Sequence, residues 1–323
     1  MGSSPIALAL GFSEVNKVMT EPIIPIRLSH SSLDTLHSCE RKWQLEKLLV
    51  DPSVREESEH TVFGRALGAG VATYMVTQDI EQAIYQLWLA YWPELESDKK
   101  SIVHCIAALQ SAVQHCDTLL MEYEVATFKD GKPAVELSYR LDINENYYFV
   151  GYIDLVLRNR FTGIYSVFDV KSTGLQLLDL SPLYQNSGQV LGYSVAIDKI
   201  VGEQQASYGI GYIACQINAA KYTSKTHIFY WEKSLLDRLN WFMTLGLDVK
   251  HLEMMAQMNY YPRRGDSCLK YNKPCRYFGT CQLHSLDIPR KREVDTIEYD
   301  FRYDLEDLIQ DHIARLPQEE VTA

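Results

Sequence analysis

Two short stretches of the sequence decide the predicted fold: Gly151-Tyr152-Ile153-Asp154 and, fifteen positions after Asp154, Asp169-Val170-Lys171. Each lies in a run with the residue types of a β-strand, from Tyr147 to Val156 and from Ile164 to Lys171. Because side chains alternate between the two faces of a strand, Asp169 and Lys171 point the same way. A connection of about six residues, 158–163, folds the two runs into a hairpin that brings Asp154 near that pair.

These three polar side chains are predicted to end otherwise apolar strands, where burial of charge is costly. Such residues are expected to have a chemical task. Two carboxylates can hold a Mg²⁺ ion, and a lysine beside them can hold or polarise a water molecule. Asp154, Asp169 and Lys171 therefore predict metal-assisted hydrolysis of a phosphodiester bond.

The composition is that of a globular protein able to bury a substantial core, with 46% apolar and 23% charged residues in 323. No run approaches eighteen apolar residues, so no membrane span is expected. The apolar patch 7–11 is too short for a signal peptide and lacks a basic lead-in. We therefore expect a cytosolic protein.

The formal net charge of −11 argues against a protein that coats DNA nonspecifically. It is compatible with an enzyme that meets nucleic acid in one local basic groove. Because long-range attraction to DNA is then weak, one interpretation is that a partner, such as a helicase or recombinase, delivers the substrate.

Hydrophobic periodicity predicts a helical first part followed by alternating strands and helices. After a leader, residues 1–28, a helix begins at Ser29 and ends near Asp51-Pro52. The further predicted elements are helices 64–76, 80–91 and 101–125, strands 134–142, 147–158 and 163–171, a helix 182–200, strands 206–216 and 226–231, and a helix 233–258. An amphipathic helix follows in the tail around Leu305 and Leu316. This order predicts one α/β domain with a mixed sheet in its second half.

Four features follow one another along the chain: Glu136 in a strand, the G-x-x-D stretch 151–154, the D-x-K stretch 169–171, and a Gln189/Tyr193 pair on one helix face. Together they resemble the PD-(D/E)xK nuclease superfamily, and more closely its RecB/AddB-type branch. The resemblance covers roughly residues 29–283. It implies a restriction-endonuclease-like core, with a central mixed β-sheet flanked by helices, a helical N-terminal region and a cysteine-bound C-terminal segment.

The resemblance also sets the predicted organisation of the chain. A single nuclease domain is expected at 29–284, divided into a helical part 29–126, a catalytic sheet 127–232 and a segment 233–284 with a long helix and the late cysteines. Residues 285–323 are expected to form a tail.

By the same resemblance the chain is a Mg²⁺- or Mn²⁺-dependent deoxyribonuclease, acting as an exonuclease on linear or single-stranded DNA in phage or bacterial recombination, repair or replication. Asp154, Asp169 and the Val170 carbonyl would hold the ion, and Lys171 would position the attacking water. Glu136 would hold a water at the metal or a second ion. Gln189 and Tyr193 would steady the lysine or contact a phosphate.

Other interpretations stay open. Exposed strand ends often carry Asp and Lys, and Glu136 is also typical of an edge strand that faces water. The chain is then a DNA-binding or assembly module that keeps the fold but cleaves little. An RNA-directed nuclease is a third interpretation.

One departure from the family pattern concerns an early helix. Members of the branch often carry a histidine there that completes the metal site, and the equivalent position in this sequence is Gly68. His60, just upstream, is expected to be solvated. Arg65, at the start of the helix, is a candidate phosphate contact, as are Arg263 and Arg264, and the basic run 290–292 also lies beside a predicted DNA path.

Three cysteines, Cys268, Cys275 and Cys281, lie within fourteen residues of a segment punctuated by prolines and glycines. In a cytosolic protein such a cluster favours a metal site over disulfides, and Cys39 is the best candidate for a fourth ligand. The four resemble the set that binds a [4Fe–4S] cluster in nucleases of this branch. Four thiolates equally suit Zn²⁺, and buried free thiols are the remaining alternative. The other cysteines, at 105, 116 and 215, are expected in the core.

Overall fold

The computed structural model of the protein describes residues 24–49, 58–92, 99–127, 131–202, 204–205, 207–270, 273–283 and 295–316. Within these ranges one sheet of eight strands lies between two helical layers. This arrangement confirms the predicted restriction-endonuclease-like α/β fold class. In the same ranges no helix combines the length and the apolar character needed to cross a membrane.

The first part of the chain is mainly helical. Its elements are β1 (Ile26–Leu28), α1 (His30–Ser38), α2 (Glu40–Lys47), α3 (Glu59–Thr77), α4 (Ile80–Tyr91), α5 (Ile102–Glu122) and β2 (Tyr123–Val125). Polar side chains begin these helices because the first backbone N–H groups of a helix lack intrahelical partners. Ser29, Ser58 and Asp79 each accept a hydrogen bond from such a group.

The second part supplies most of the sheet. Its elements are β3 (Val135–Asp142), β4 (Tyr147–Asn159), β5 (Tyr165–Thr173), α6 (Ser181–Gln185), α7 (Gly188–Val201), β6 (Tyr208–Asn218), β7 (Thr223–Lys233), α8 (Leu235–Gln257), β8 (Leu269–Lys270), β9 (Lys273–Pro274), β10 (Phe301–Asp304) and α9 (Leu305–Ala314).

The strand order in the sheet is β10-β3-β4-β5-β6-β7, and β1 and β2 also pair with β4. The β3–β4–β5 and β6–β7 pairs are antiparallel, whereas β5–β6, β10–β3 and β1–β4 are parallel. The sheet is therefore mixed, as predicted. Since β6 is buried along most of its length, both of its faces are apolar, as is typical of a strand covered on both sides.

Two hydrophobic cores lie on opposite faces of the sheet. On one face α7, α8 and α9 pack on the sheet around side chains such as Phe149 and Phe242. On the other face α3, α4 and α5 pack around Phe63, Leu87 and Phe168. The buried Cys105, Cys116 and Cys215 belong to the second core, which confirms their predicted core position.

Several predicted helices differ from those observed. The helix from Ser29 is two helices, because the backbone at Cys39 is extended, and its predicted end at 51–52 lies outside the described residues. The helix 101–125 ends at Glu122, and its last three residues form β2 against β4. The helix 182–200 is interrupted near Ser187, whose side chain caps α7.

Both ends of the predicted domain also differ. The leader was expected to reach residue 28, but residues 26–28 form β1 beside β4. The tail contributes β10, which pairs with β3, and α9, which packs on α8. Short strands of three or four residues give too little alternation to be recognised in a single sequence.

A buried ionic cluster fastens α9 to the rest of the fold. Asp198 on α7 accepts hydrogen bonds from Arg238 at 3.2 Å, from Arg315 at 2.5 Å and from the Tyr208 hydroxyl at 2.5 Å. Arg238 has no exposed surface and also donates to the Ser194 carbonyl at 2.6 Å. The cluster therefore joins α7, α8, β6 and the residue that follows α9.

His312 on α9 gives the fold a predicted pH dependence. Burial, with Arg238 nearby, lowers the pKa of His312 to about 4, and its Nδ1 donates to the Leu308 carbonyl. An unfolded histidine titrates near pH 6.5, so the unfolded state binds more protons between those values. Stability from this group is therefore complete above pH ~6.5 and is lost as the pH falls towards 4.

Replacing His312 with Asn, which keeps a donor for the Leu308 carbonyl, is expected to flatten the dependence of unfolding free energy on pH by about 3 kcal/mol between pH 7 and pH 4. Urea unfolding at several pH values measures this difference. Parallel curves for the variant and the wild type would contradict the assignment.

Candidate active site

The candidate site lies where β4 and β5 part. The two strands pair from Arg158–Tyr165 to Leu155–Phe168 and no further. Beyond this point β5 continues along β6, while β4 pairs with β1. Asp154 and Asp169 are the first residues past the last pair, so the hairpin prediction is confirmed. Asp154 does not end its strand as predicted but lies inside it, at the opening of the cleft.

Asp154 closes this opening with its side chain. Its Oδ2 accepts a hydrogen bond from the backbone N–H of Val170 at 2.7 Å. A carboxylate thus takes the place that a strand carbonyl would occupy in a continued ladder. This contact fixes the Asp154 carboxylate next to the D-x-K stretch.

Asp169 is held by two groups. It is 1% exposed, its Oδ1 accepts from Gln189 Nε2 at 2.9 Å, and its Oδ2 lies 2.7 Å from Lys171 Nζ. The Gln189 amide also donates to the Tyr193 hydroxyl at 2.6 Å. Gln189 and Tyr193 were predicted to steady the lysine or contact a phosphate, and the structure places the Gln189 amide on the carboxylate that faces the lysine.

The charges of the site influence one another. Burial and the carboxylates of Asp169 and Glu136 hold the pKa of Asp154 well above its usual range, against the effect of Lys171. Burial also raises the pKa of Asp169, and Lys171 opposes it. Burial would lower the pKa of Lys171, but Asp169 and Asp154 outweigh it, so the pKa is raised. The two carboxylates therefore favour the ammonium form of Lys171.

Glu136 reaches the cleft through a special backbone conformation. The β3–β4 register places it opposite Asp154, and its φ of 52° is in the left-handed region that non-glycine residues seldom adopt. Such conformations are costly and cluster at functional sites. A Cβ added to Gly68 would lie 3.6 Å from Glu136 Oε1, so Gly68 faces this carboxylate directly.

Packing explains why the first residue of the G-x-x-D stretch, Gly151, is a glycine. A Cβ on Gly151 would lie 2.3 Å from the ring of Tyr139, its partner in the β3–β4 register. Tyr139 is fully buried over this glycine, and its hydroxyl donates to the Gly192 carbonyl at 3.0 Å. Only glycine fits there, and the ring connects β3 to the helix that carries Gln189 and Tyr193.

The three carboxylates, Lys171, Gln189 and Tyr193 line one open cleft of about 870 Å³, which extends along α3. His60, Arg65 and Gly68 of α3 form one side of it, together with Lys100. His60 is largely exposed, as expected. Lys100 was not predicted: its Nζ donates to the Ser172 hydroxyl at 3.2 Å.

Two other residues near the site were missed. Tyr152 lines the cleft, and its spacing of two from Asp154 places both on one face of β4, a signal that the sequence contained. His30, at the start of α1, lies close enough to Lys171 and Asp169 to interact electrostatically with both. It comes from a distant part of the chain, so no spacing could have indicated it.

The carboxylates suit a divalent ion by their chemistry. Oxygen donors from Asp154 and Asp169 are what Mg²⁺ or Mn²⁺ prefers, and apart from Lys171 the described residues give Asp169 Oδ2 no partner. The side chains are not, however, gathered around an ion: among the described residues no three His, Cys, Asp or Glu groups are arranged to hold one. In this arrangement Lys171 occupies that oxygen.

The four predicted cysteine ligands lie together at the opposite end of α1. Cys39, Cys268, Cys275 and Cys281 line one small cavity of about 50 Å³. Cys39 Sγ lies 4.0 Å from the Pro262 carbonyl, and the backbone N–H of Cys275 donates to the Cys268 carbonyl at 2.8 Å. One early and three late cysteines thus line one cavity between the first helices and the C-terminal segment, although among the described residues no three of them are arranged to hold an ion.

A buried cation accompanies these thiols. Arg41 is 4% exposed, and its Nη2 donates to the Leu283 carbonyl at 2.7 Å. Burial lowers the pKa of Arg41, while Cys281 and Cys39 act in the opposite direction. Arg41 therefore lies close to Cys39 and Cys281.

The other predicted DNA contacts are not at the cleft. Arg264 forms an ion pair with the buried Glu40, and its Nε donates at 2.8 Å. Arg263 donates to Gln282 at 2.8 Å and lines the cysteine cavity. Both therefore brace the cysteine segment, whereas Arg65 does line the cleft. The basic run 290–292 lies outside the described residues.

A comparison with protein-family models finds a match over the part of the chain that contains the site. A family model described as the PD-(D/E)XK nuclease superfamily matches residues 27–285. No curated protein sequence matches the chain. A crystal structure of a candidate exonuclease from Eubacterium rectale is similar with a TM-score of 0.42 and 9% identity, covering 79% of this chain and 92% of its own. The structure of SSO0001 has a TM-score of 0.23 and 12% identity, covering 56% and 70%.

Proposed function

Because the chain belongs to the PD-(D/E)XK nuclease superfamily, we propose that it is a metal-dependent deoxyribonuclease that cleaves phosphodiester bonds in the cleft between β4 and β5. The observation that carries the proposal is the convergence of Asp154, Asp169 and Lys171 where these strands part. An exonuclease on linear or single-stranded DNA, in recombination, repair or replication, is the form that the sequence favours.

In this proposal Asp154, Asp169 and the Val170 carbonyl hold the divalent ion. When bound, such an ion lowers the pKa of water and neutralises charge that develops on the phosphoryl oxygens. Glu136 stands opposite Asp154 across the cleft and adds a third carboxylate. Its proposed task is to hold a water at the metal or a second ion.

Lys171 acts in this proposal as a donor. Neighbouring carboxylates favour its protonated form, and in that form its N–H groups orient the attacking water and stabilise negative charge in the transition state. Gln189 holds the Asp169 carboxylate in place, and Tyr193 holds the Gln189 amide. These two residues have positioning roles.

The test is a cleavage assay on end-labelled linear DNA, single- and double-stranded, with Mg²⁺, Mn²⁺ or EDTA. We expect cleavage with either ion and none with EDTA, and the ladder of products gives the polarity. A labelled RNA of the same sequence in parallel tests the RNA-directed alternative.

A second candidate function is a DNA-binding or assembly module that cleaves little. The net charge of −11 and the glycine at position 68, facing Glu136, favour it. A folded protein that binds DNA but does not cleave it with either ion would support this module, or an enzyme that needs a helicase or recombinase to deliver its substrate.

We infer that Cys39, Cys268, Cys275 and Cys281 bind a metal centre of structural purpose. The shared cavity and the neighbouring Arg41 support this inference. The family resemblance favours [4Fe–4S], and Zn²⁺ is the alternative. Four protein ligands leave no open position, so the centre would stabilise the fold and take no part in the reaction.

Elemental analysis of anaerobically purified protein tests this inference. We expect either four iron atoms with sulfide or one zinc atom per chain, and loss of the metal in Cys281→Ser. The variant Cys116→Ser, in the core away from the cavity, is the control and should retain it. Metal-free protein with an intact fold would contradict the inference.

A further inference from the structure

The solvent-facing side of α4 carries a row of large aromatic side chains. Tyr85 and Trp88 lie three positions apart on one side of the helix. Trp92, the residue that follows α4, continues the row four positions later. They are 56%, 49% and 64% exposed. The centroids of Tyr85 and Trp88 are 6.5 Å apart with the rings inclined by 24°, and those of Trp88 and Trp92 are 6.3 Å apart.

Such a row is not explained by packing. Single exposed apolar side chains are common on protein surfaces, whereas a contiguous exposed patch marks a binding site. The opposite side of α4, with Leu87 and Tyr91, is already buried in the core beneath α3 and α5. The three rings are therefore not needed to attach the helix.

The row ends at the rim of the catalytic cleft. Arg65, which lines the cleft, donates from Nε to the Ala90 carbonyl at 3.1 Å, two residues before Trp92. The Tyr91 hydroxyl donates to the carbonyl of Lys100 at 2.7 Å, and Lys100 lines the cleft as well. These two contacts fix the end of α4 that bears Trp92 beside the cleft.

We propose that Tyr85, Trp88 and Trp92 form a stacking platform for the bases of a single DNA strand that leads into the cleft at Asp154 and Asp169. Exposed aromatic faces bind unpaired bases by stacking, in a manner that tolerates any sequence. A duplex keeps its base faces covered, so the platform selects single strands. The inference rests on the proposed nuclease function and names its substrate class.

The charge of the protein makes this platform important. With a net charge of −11, the chain gains little from long-range attraction to phosphates, which usually dominates affinity for nucleic acids. Stacking contributes about 1–3 kcal/mol per base without net charge. The affinity for single strands should therefore fall only slightly with salt, with a slope that corresponds to one or two phosphates.

The test measures binding of a fluorescein-labelled oligothymidylate in EDTA, where no cleavage occurs. Trp88→Ala and Trp92→Ala are each expected to raise the Kd about 5- to 100-fold. Trp88→Phe, which keeps a ring, should recover most of the affinity. Phe161→Ala is the matched control, since Phe161 is 80% exposed in the turn after β4 and should leave the Kd unchanged.

Two further measurements separate this inference from the proposed function. Hydrolysis of bis(p-nitrophenyl) phosphate reports on the cleft without the platform and should be equal in the wild type and both alanine variants. If no diester is hydrolysed but single strands still bind through Trp88 and Trp92, the platform stands and the nuclease proposal fails. If DNA is cleaved and the Kd is the same in the Trp88→Ala/Trp92→Ala double variant, the platform is wrong and the row is a surface for a protein.

Discussion

Replacing Lys171 with Ala is expected to lower the rate of DNA cleavage by about 10²- to 10³-fold, the usual effect of removing one preorganised donor from a transition state. Lys171 is the cation that lies 2.7 Å from Asp169 Oδ2, and its pKa is raised by Asp169 and Asp154. Its removal leaves the carboxylates but takes away the N–H donor that the proposed mechanism assigns to the attacking water and the phosphoryl oxygens.

The measurement is the single-turnover rate at saturating Mg²⁺, with the Kd for DNA measured separately in EDTA. Because the substitution removes a half-buried charge, the melting temperature of the variant must also be compared with that of the wild type. Lys199→Ala is the matched control: Lys199 pairs with Asp311 on the surface at 2.9 Å and should change neither quantity. A Lys171→Ala protein that cleaves at the wild-type rate would remove Lys171 from the proposed mechanism.

Asp198→Asn is expected to lower the free energy of unfolding by about 3–5 kcal/mol, because it leaves a buried guanidinium without its counter-charge. Arg238 has no exposed surface, and Asp198 is the carboxylate that pairs with it and with Arg315. The asparagine has nearly the same shape, so the loss measures charge and not volume.

Urea denaturation measures this loss, and the same helix pair offers a control. Asp311 of α9 pairs with Lys199 of α7, but both side chains are about half exposed. Asp311→Asn should therefore cost less than about 1 kcal/mol. Equal losses in the two variants would show that burial of the Asp198 cluster does not determine its contribution.

Local patterns explain what the sequence predicted well. The β4–β5 hairpin follows from alternation and a short connection, so Asp169, Lys171 and the nearby Asp154 could be placed together. The four-residue spacing of Gln189 and Tyr193 placed both on one side of α7, where they are joined by a hydrogen bond. In each case neighbours in sequence are neighbours in space.

The remainder of the site depends on contacts that no local pattern encodes. Lys100 reaches the cleft from just before α5. His30 lies near Lys171 and Asp169 because β1, which precedes it, pairs with β4. The left-handed backbone at Glu136 occurs at a residue that is not glycine, so no residue type in the sequence indicated it. The proton state of Lys171 is likewise decided by carboxylates from two strands.

The junction between the first helices and the cysteine segment has a consequence for biosynthesis. The backbone N–H of Arg41 donates to the Pro262 carbonyl, and its guanidinium donates to the Leu283 carbonyl. In addition, Arg264 forms an ion pair with Glu40, and Trp43 stacks on Tyr261. Contacts over more than two hundred residues of chain close slowly. While the ribosome is still synthesising the sheet, α1 and α2 lack these partners. The apolar surface around Trp43 is then exposed, and it can bind chaperones or aggregate. Although α1 and α2 are made before the cysteine segment, they are thus among the last elements to complete their native contacts.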